Sequence, residues 1–213
     1  MNKLPKPILG VLFTVIIMAA SPIASSYASD ADYPDVKNAK VETNDDEISE
    51  AIIKTHGHIP KDGEGGAFGY AVITDEGFDS VIVTTTHEGV YDSEEQRDEN
   101  DPVFHNHYIT LRENVDECGD NPAVGSISFE SPGDVNIQNK KAVLSDLPAE
   151  AELQTVIPAL DKDDAELDEL NEFNPGTNVE SVVSFQLDPV IEDGDLQAVC
   201  VDDIRPAENL EIN

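Results

Sequence analysis

From Ala67 onward the chain alternates short β-branched and aromatic runs with clusters of Gly, Pro, Asn and Asp. This is the pattern of strands joined by turns, and it restricts the chain to an all-β class. The runs are 67–74, 78–87, 102–111, 123–130, 134–144, 179–190 and 195–204. Asp75-Glu76-Gly77 makes the first two a hairpin, and Ser131-Pro132-Gly133-Asp134 and Glu192-Asp193-Gly194-Asp195 are turns of the same logic. About seven strands with one longer connection predict a β-sandwich or an open barrel.

Two short helices are expected beside the strands. Asn44 and Glu47 have capping-box spacing, Ile48, Ala51 and Ile52 fall at i, i+3 and i+4, and Gly57 supplies a stop, which predicts a helix over about 45–55. The acidic stretch Asp161 to Asn171 carries Ala165, Leu167 and Leu170 at spacings that permit a second. Residues 29–43 are polar and without period and read as a flexible acidic linker, leaving 44–213 as a single β-rich domain.

The first 28 residues have the organisation of a secretory signal: Lys3 and Lys6, the apolar stretch Ile8 to Ala20, and small residues at Ser26-Tyr27-Ala28. That stretch is 13 residues long, short of the roughly 20 needed to span a bilayer. Cleavage after Ala28 and a secreted or extracytoplasmic location are expected.

Charge narrows the partners. The 45 Asp and Glu against 12 Lys and Arg give a net −33, and loss of Lys3 and Lys6 with the signal leaves 10 − 45 = −35. Such a surface repels nucleic acids and anionic membranes and is stabilised by screening ions. Outside the cytoplasm the two cysteines, Cys118 and Cys200, are expected to form one disulfide.

Chemistry is suggested by the histidines. All five, His56, His58, His87, His105 and His107, lie between residues 56 and 107. Side chains alternate along a strand, so His105 and His107 share a face about 7 Å apart, close enough to hold one metal ion. If strands 78–87 and 102–111 are neighbours, His87 joins them. His56-Gly57-His58 sits on a turn and offers a fourth ligand or an outer partner. Carboxylates such as Glu88, Asp92 or Glu130 could complete the site.

Imidazole nitrogens suit a transition metal, zinc or copper foremost; calcium would instead be held by the acidic groups. His105-x-His107 on a strand resembles the metal-holding strands of carbonic anhydrases, copper-zinc superoxide dismutases and cupins over these three residues. No histidine follows His107, however, and Glu113 lies six positions beyond it, farther than the cupin spacing. The expectation is an exported acidic β-domain that binds a transition metal through clustered histidines, with metal-dependent catalysis within its reach. The alternative is a non-catalytic cell-surface or extracellular module whose acidic surface is adapted to salt or calcium.

Overall fold

The computed structural model describes residues 32–44, 47–61, 63–155, 171–173, 176, 178–192 and 195–213. The expected signal segment lies outside them, as do residues 161–170 of the second expected helix and Asp193 and Gly194 of the last expected turn.

The all-β class is borne out. Among the described residues there are thirteen strands: β1 (Val36–Asn44), β2 (Glu47–Thr55), β3 (Phe68–Thr74), β4 (Val81–Thr86), β5 (His105–Arg112), β6 (Ala123–Ile127), β7 (Asp134–Gln138), β8 (Lys141–Ser145), β9 (Ala151–Thr155), β10 (Asn171–Phe173), β11 (Val179–Glu192), β12 (Asp195–Pro206) and β13 (Leu210–Ile212). One sheet has the order β13-β1-β2-β8-β7. In the other, β6-β12-β11-β3-β4-β5 closes on itself through β5–β6 pairing, and β9 and β10 extend from β6. The molecule therefore combines a sheet-on-sheet layer with a closed six-stranded barrel.

The expected N-terminal helix is a strand. Ser49 is a bulge, because Thr43 pairs with Ile48 while the preceding Glu42 pairs with Glu50, and the Ser49 hydroxyl donates to the Glu42 carbonyl at 3.1 Å. The extra residue brings Ile48 and Ala51 to the same buried side three positions apart, which imitates helical spacing. Ala51, Ile53 and Thr55 then alternate inward as in any strand.

The expected linker is corrected too. From Val36 it forms β1, which pairs with β2 on one side and in parallel with β13 on the other. Val36, Ala39 and Val41 are buried there. The run 134–144 divides into the hairpin β7–β8, and Asn139, with φ of 57°, supports the reversal. Asn171, at the end of the second expected helix, opens β10.

Strands β3, β4 and β5 belong to both halves, and their alternation feeds two cores. Phe68, Tyr70, Val72, Ile82 and Tyr108 face the five-stranded sheet and pack with its Val41, Ala51, Ile53 and Leu144. Ala71, Val81, Val83 and Ile109 face the barrel interior, where they meet Val183, Phe185 and Val201. Gly69 lies opposite Phe185, and a Cβ there would come within 2.6 Å of the ring. Glycine at this position lets the aromatic side chain cover the neighbouring backbone.

Closure rests on a narrow seam. β12 and β6 register through a single pair, Cys200 with Ala123, reinforced by Val201 N–H donating to the Pro122 carbonyl at 2.8 Å. The expected Cys118–Cys200 disulfide is present at this seam, with a Cα–Cα distance of 5.4 Å.

Candidate metal centre

Strand pairing assembles the cluster. β4 and β5 run antiparallel with Thr85 opposite His105 and Val83 opposite His107, so both histidines share the interior face with Ile109. His87 follows the end of β4 and reaches back: its Nε2 lies 3.2 Å from His105 Nε2. The imidazoles stack edge to face, with ring centroids 4.9 Å apart for His87 and His105 and 4.7 Å for His105 and His107.

The fourth group comes from the connection between β4 and β5. Asp92 Oδ2 is 3.2 Å from His87 Nε2, and Oδ1 is 3.5 Å from His105 Nε2 and 3.7 Å from His107 Nε2. One donor atom from each of His87, Asp92, His105 and His107 falls within 4.8 Å of all the others. Tetrahedral zinc with bonds of 2.0–2.1 Å separates its ligand atoms by about 3.3 Å. The distances of 3.2–3.7 Å given above lie near that value and no donor pair exceeds 4.8 Å, so these four residues could hold one metal ion.

The connection is rich in acidic residues, as an exposed loop would be, yet part of it is packed. Buried Gln96 accepts from the backbone N–H groups of Asp92 (3.0 Å) and Ser93 (3.3 Å) and donates to the carbonyls of Val90 and Asp101. Arg97 Nε donates to Asp101 Oδ2 at 2.6 Å and holds that carboxyl down to about 2. These contacts aim Asp92 at the imidazoles.

Hydrogen bonds behind the rings set their tautomers. His105 Nδ1 lies 2.8 Å from the Val103 carbonyl, and His107 Nδ1 lies 2.7 Å from the Ser128 carbonyl. A carbonyl only accepts, so each Nδ1 carries the proton and each neutral ring presents an Nε2 lone pair forward. His107 Nε2 and Asp92 Oδ1 are buried without a hydrogen-bond partner. Burial resists ionisation of Asp92; hydrogen bonds from rings protonated at Nε2 would outweigh it and hold the carboxyl far below its ordinary range, but rings with their lone pairs forward give no such support. Burial also pushes His105 down, with Asp92 only partly opposing.

His56 and His58 stand apart. They follow β2 in the other sheet, where His56 Nε2 is 3.0 Å from Glu208 Oε1 and His58 is exposed. Neither belongs to the four-residue group. Glu88 lines the cavity beside it, and Glu130 is an exposed residue after β6. Asp92 was one acid among several in the sequence, and its distinguishing signal, the buried Gln96 four residues on, is visible only in three dimensions.

A cavity of about 80 Å³ adjoins the cluster inside the barrel. His87, Asp92 and His107 line it together with apolar residues including Val83, Ile109, Val124, Phe185 and Leu187. Fold and site thus define an all-β protein with a buried three-histidine, one-aspartate cluster at a barrel cavity. No protein-family model matches the chain, and comparison with curated proteins and with solved structures gives no match.

Proposed function

We propose that this protein is an extracytoplasmic metal-binding protein whose ion is held by His87 Nε2, His105 Nε2, His107 Nε2 and one oxygen of Asp92. The observation that carries this reading is the convergence of acceptors. Two buried rings are fixed by backbone carbonyls so that their lone pairs face the half-buried carboxylate of Asp92, whose Oδ1 is shielded from solvent. Lone pairs and an anion held this close in a poorly solvated site repel one another unless a cation lies between them. A proton serves His105 poorly, because burial disfavours its charged form. A divalent metal serves all four groups together.

Zinc suits the spacing and donor set, and copper(II) competes for the same nitrogens through its higher intrinsic affinity. One carboxylate and three neutral imidazoles leave a divalent ion with a net charge of about +1, enough to draw a further oxygen donor from the cavity. With water there, the ion would lower the water's pKa toward about 7 and supply a nucleophile for metal-dependent catalysis. The disulfide fits an oxidising compartment, and the signal-like organisation of the first 28 residues supports export.

The test is elemental analysis of mature protein produced in an oxidising compartment without chelator or an affinity histidine tag. One zinc or copper per chain is expected, lost in His105→Ala/His107→Ala and retained in His56→Ala/His58→Ala. A protein that remains metal-free after reconstitution with zinc and copper overturns the proposal.

A further inference from the structure

We infer that the barrel cavity binds a small neutral molecule with an unbranched apolar tail and one oxygen-bearing polar end, the polar end directed at the metal centre proposed above, on which this inference rests. Three of the four donor residues, His87, Asp92 and His107, line the cavity, whereas fully buried His105 does not and closes the cluster from behind. An ion held by all four would therefore present its free side to the cavity.

The walls specify the rest of the ligand. Among the described residues, polar side chains outside the cluster reach the cavity only at Thr85 and Glu88, and the remaining lining is apolar. A second polar group on the ligand would lie unpaired against Val83, Ile109, Val124, Phe185 or Leu187. A negatively charged tail would meet Glu88 and the −33 net charge of the chain. At about 80 Å³ the space is roughly half that of a 150 Å³ apolar cavity that accepts benzene, so it suits a short chain better than a ring. One wall is Phe185, whose ring packs over Gly69. An unfilled apolar space costs stability, and here it sits against the donor cluster. Pockets of this kind, apolar with a few convergent polar groups at a barrel mouth, are typical ligand sites.

Mature protein reconstituted with cobalt(II) provides the readout, since its visible absorption bands respond to a new oxygen ligand. It is titrated at neutral pH with acetohydroxamate, propionohydroxamate and butyrohydroxamate, and with succinohydroxamate, whose tail carries a carboxylate. Each added methylene is expected to tighten binding about four-fold, and succinohydroxamate is expected to bind at least about ten-fold more weakly than butyrohydroxamate. Val124→Phe, which fills the cavity from β6, should keep its cobalt and lose the chain-length dependence. Leu187→Phe makes the same test from β11 if the first variant does not fold. Full cobalt occupancy with equal affinities across the series, or equal binding of the charged tail, overturns this inference and leaves the metal centre standing. Failure to bind cobalt, zinc or copper at all overturns both.

Discussion

The two faces of β3, β4 and β5 make different use of the same strands. On the sandwich side the polar ends of large side chains are satisfied: Tyr70 donates its hydroxyl to the Tyr33 carbonyl at 2.9 Å, and Tyr108 donates to the carbonyl of Pro148. That face is filled by Phe68, Val72, Ile82 and the opposing sheet. On the barrel side, His107 Nε2 and Asp92 Oδ1 are buried without hydrogen-bond partners, and the space beside them is a cavity. The first face is organised for stability. The second leaves acceptors and volume open, which is where a ligand has something to gain.

The largest expected effect concerns the barrel's closure. Because β12 and β6 share one registered pair, the Cys118–Cys200 crosslink carries much of that seam. Cys118→Ser/Cys200→Ser should lower the unfolding free energy by about 4 kcal/mol in the chain-entropy account. Hydrogen exchange should rise first in β6 and β12, while β1 and β2 stay protected; equal loss across both halves would contradict the contrast drawn between them.

Next in size is a matched pair of truncations. Leu144 is fully buried in the sandwich core, and Leu187 is half-buried beside the cavity. Urea denaturation should give a loss of about 3 kcal/mol for Leu144→Ala and about 1 kcal/mol for Leu187→Ala. Similar values would mean that the two faces are packed alike.

Gln96 separates positioning from stability. Gln96→Ala removes the side chain that fixes the backbone around Asp92, and zinc affinity measured by competition with a chelator should fall about 10- to 100-fold, as for other outer partners of ligands. Rescue by Gln96→Glu is expected to be poor, since the carboxylate cannot donate to the Val90 and Asp101 carbonyls as the amide does. An unchanged affinity would detach this loop from the site.

The smallest effect is in pH. In metal-free protein His105 has its pKa lowered by folding, so the unfolded chain takes up a proton near pH 6.5 where the folded one resists it. Stability is then full above that pH and declines as pH falls below about 6.5. Asp101 has the other common sign: its carboxyl is held down to about 2, and its contribution is present above about pH 4 and lost as pH falls toward 2. A urea midpoint that stays flat from pH 7.5 to 5 would contradict the first of these.

Much of the strand content was legible because alternation and turn chemistry are local. The hairpin at Asp75-Glu76-Gly77 joins β3 to β4 as expected, and β11 and β12 pair across the expected turn. Misreadings arose where tertiary pairing overrode local cues. Ser49 shifts the phase of β2 by one residue and turns an extended strand into an apparent i, i+3 pattern. β1 contains Lys37, Asn38, Lys40 and Glu42, so only its packing against β2 and β13 distinguishes it from a linker.

The candidate site divides along the same line. Two-residue periodicity alone put His105 and His107 on one face, and neighbouring strands brought in His87, because these depend only on backbone geometry and short connections. Barrel closure, the fate of His56 and His58, the carbonyl behind each ring and the choice of Asp92 among 45 acidic residues depend on contacts between segments far apart in the chain. Sequence determines which side chains alternate toward a common face. Only the tertiary structure decides what that face encloses, since burial and the aim of a lone pair belong to the packed assembly and not to any one segment.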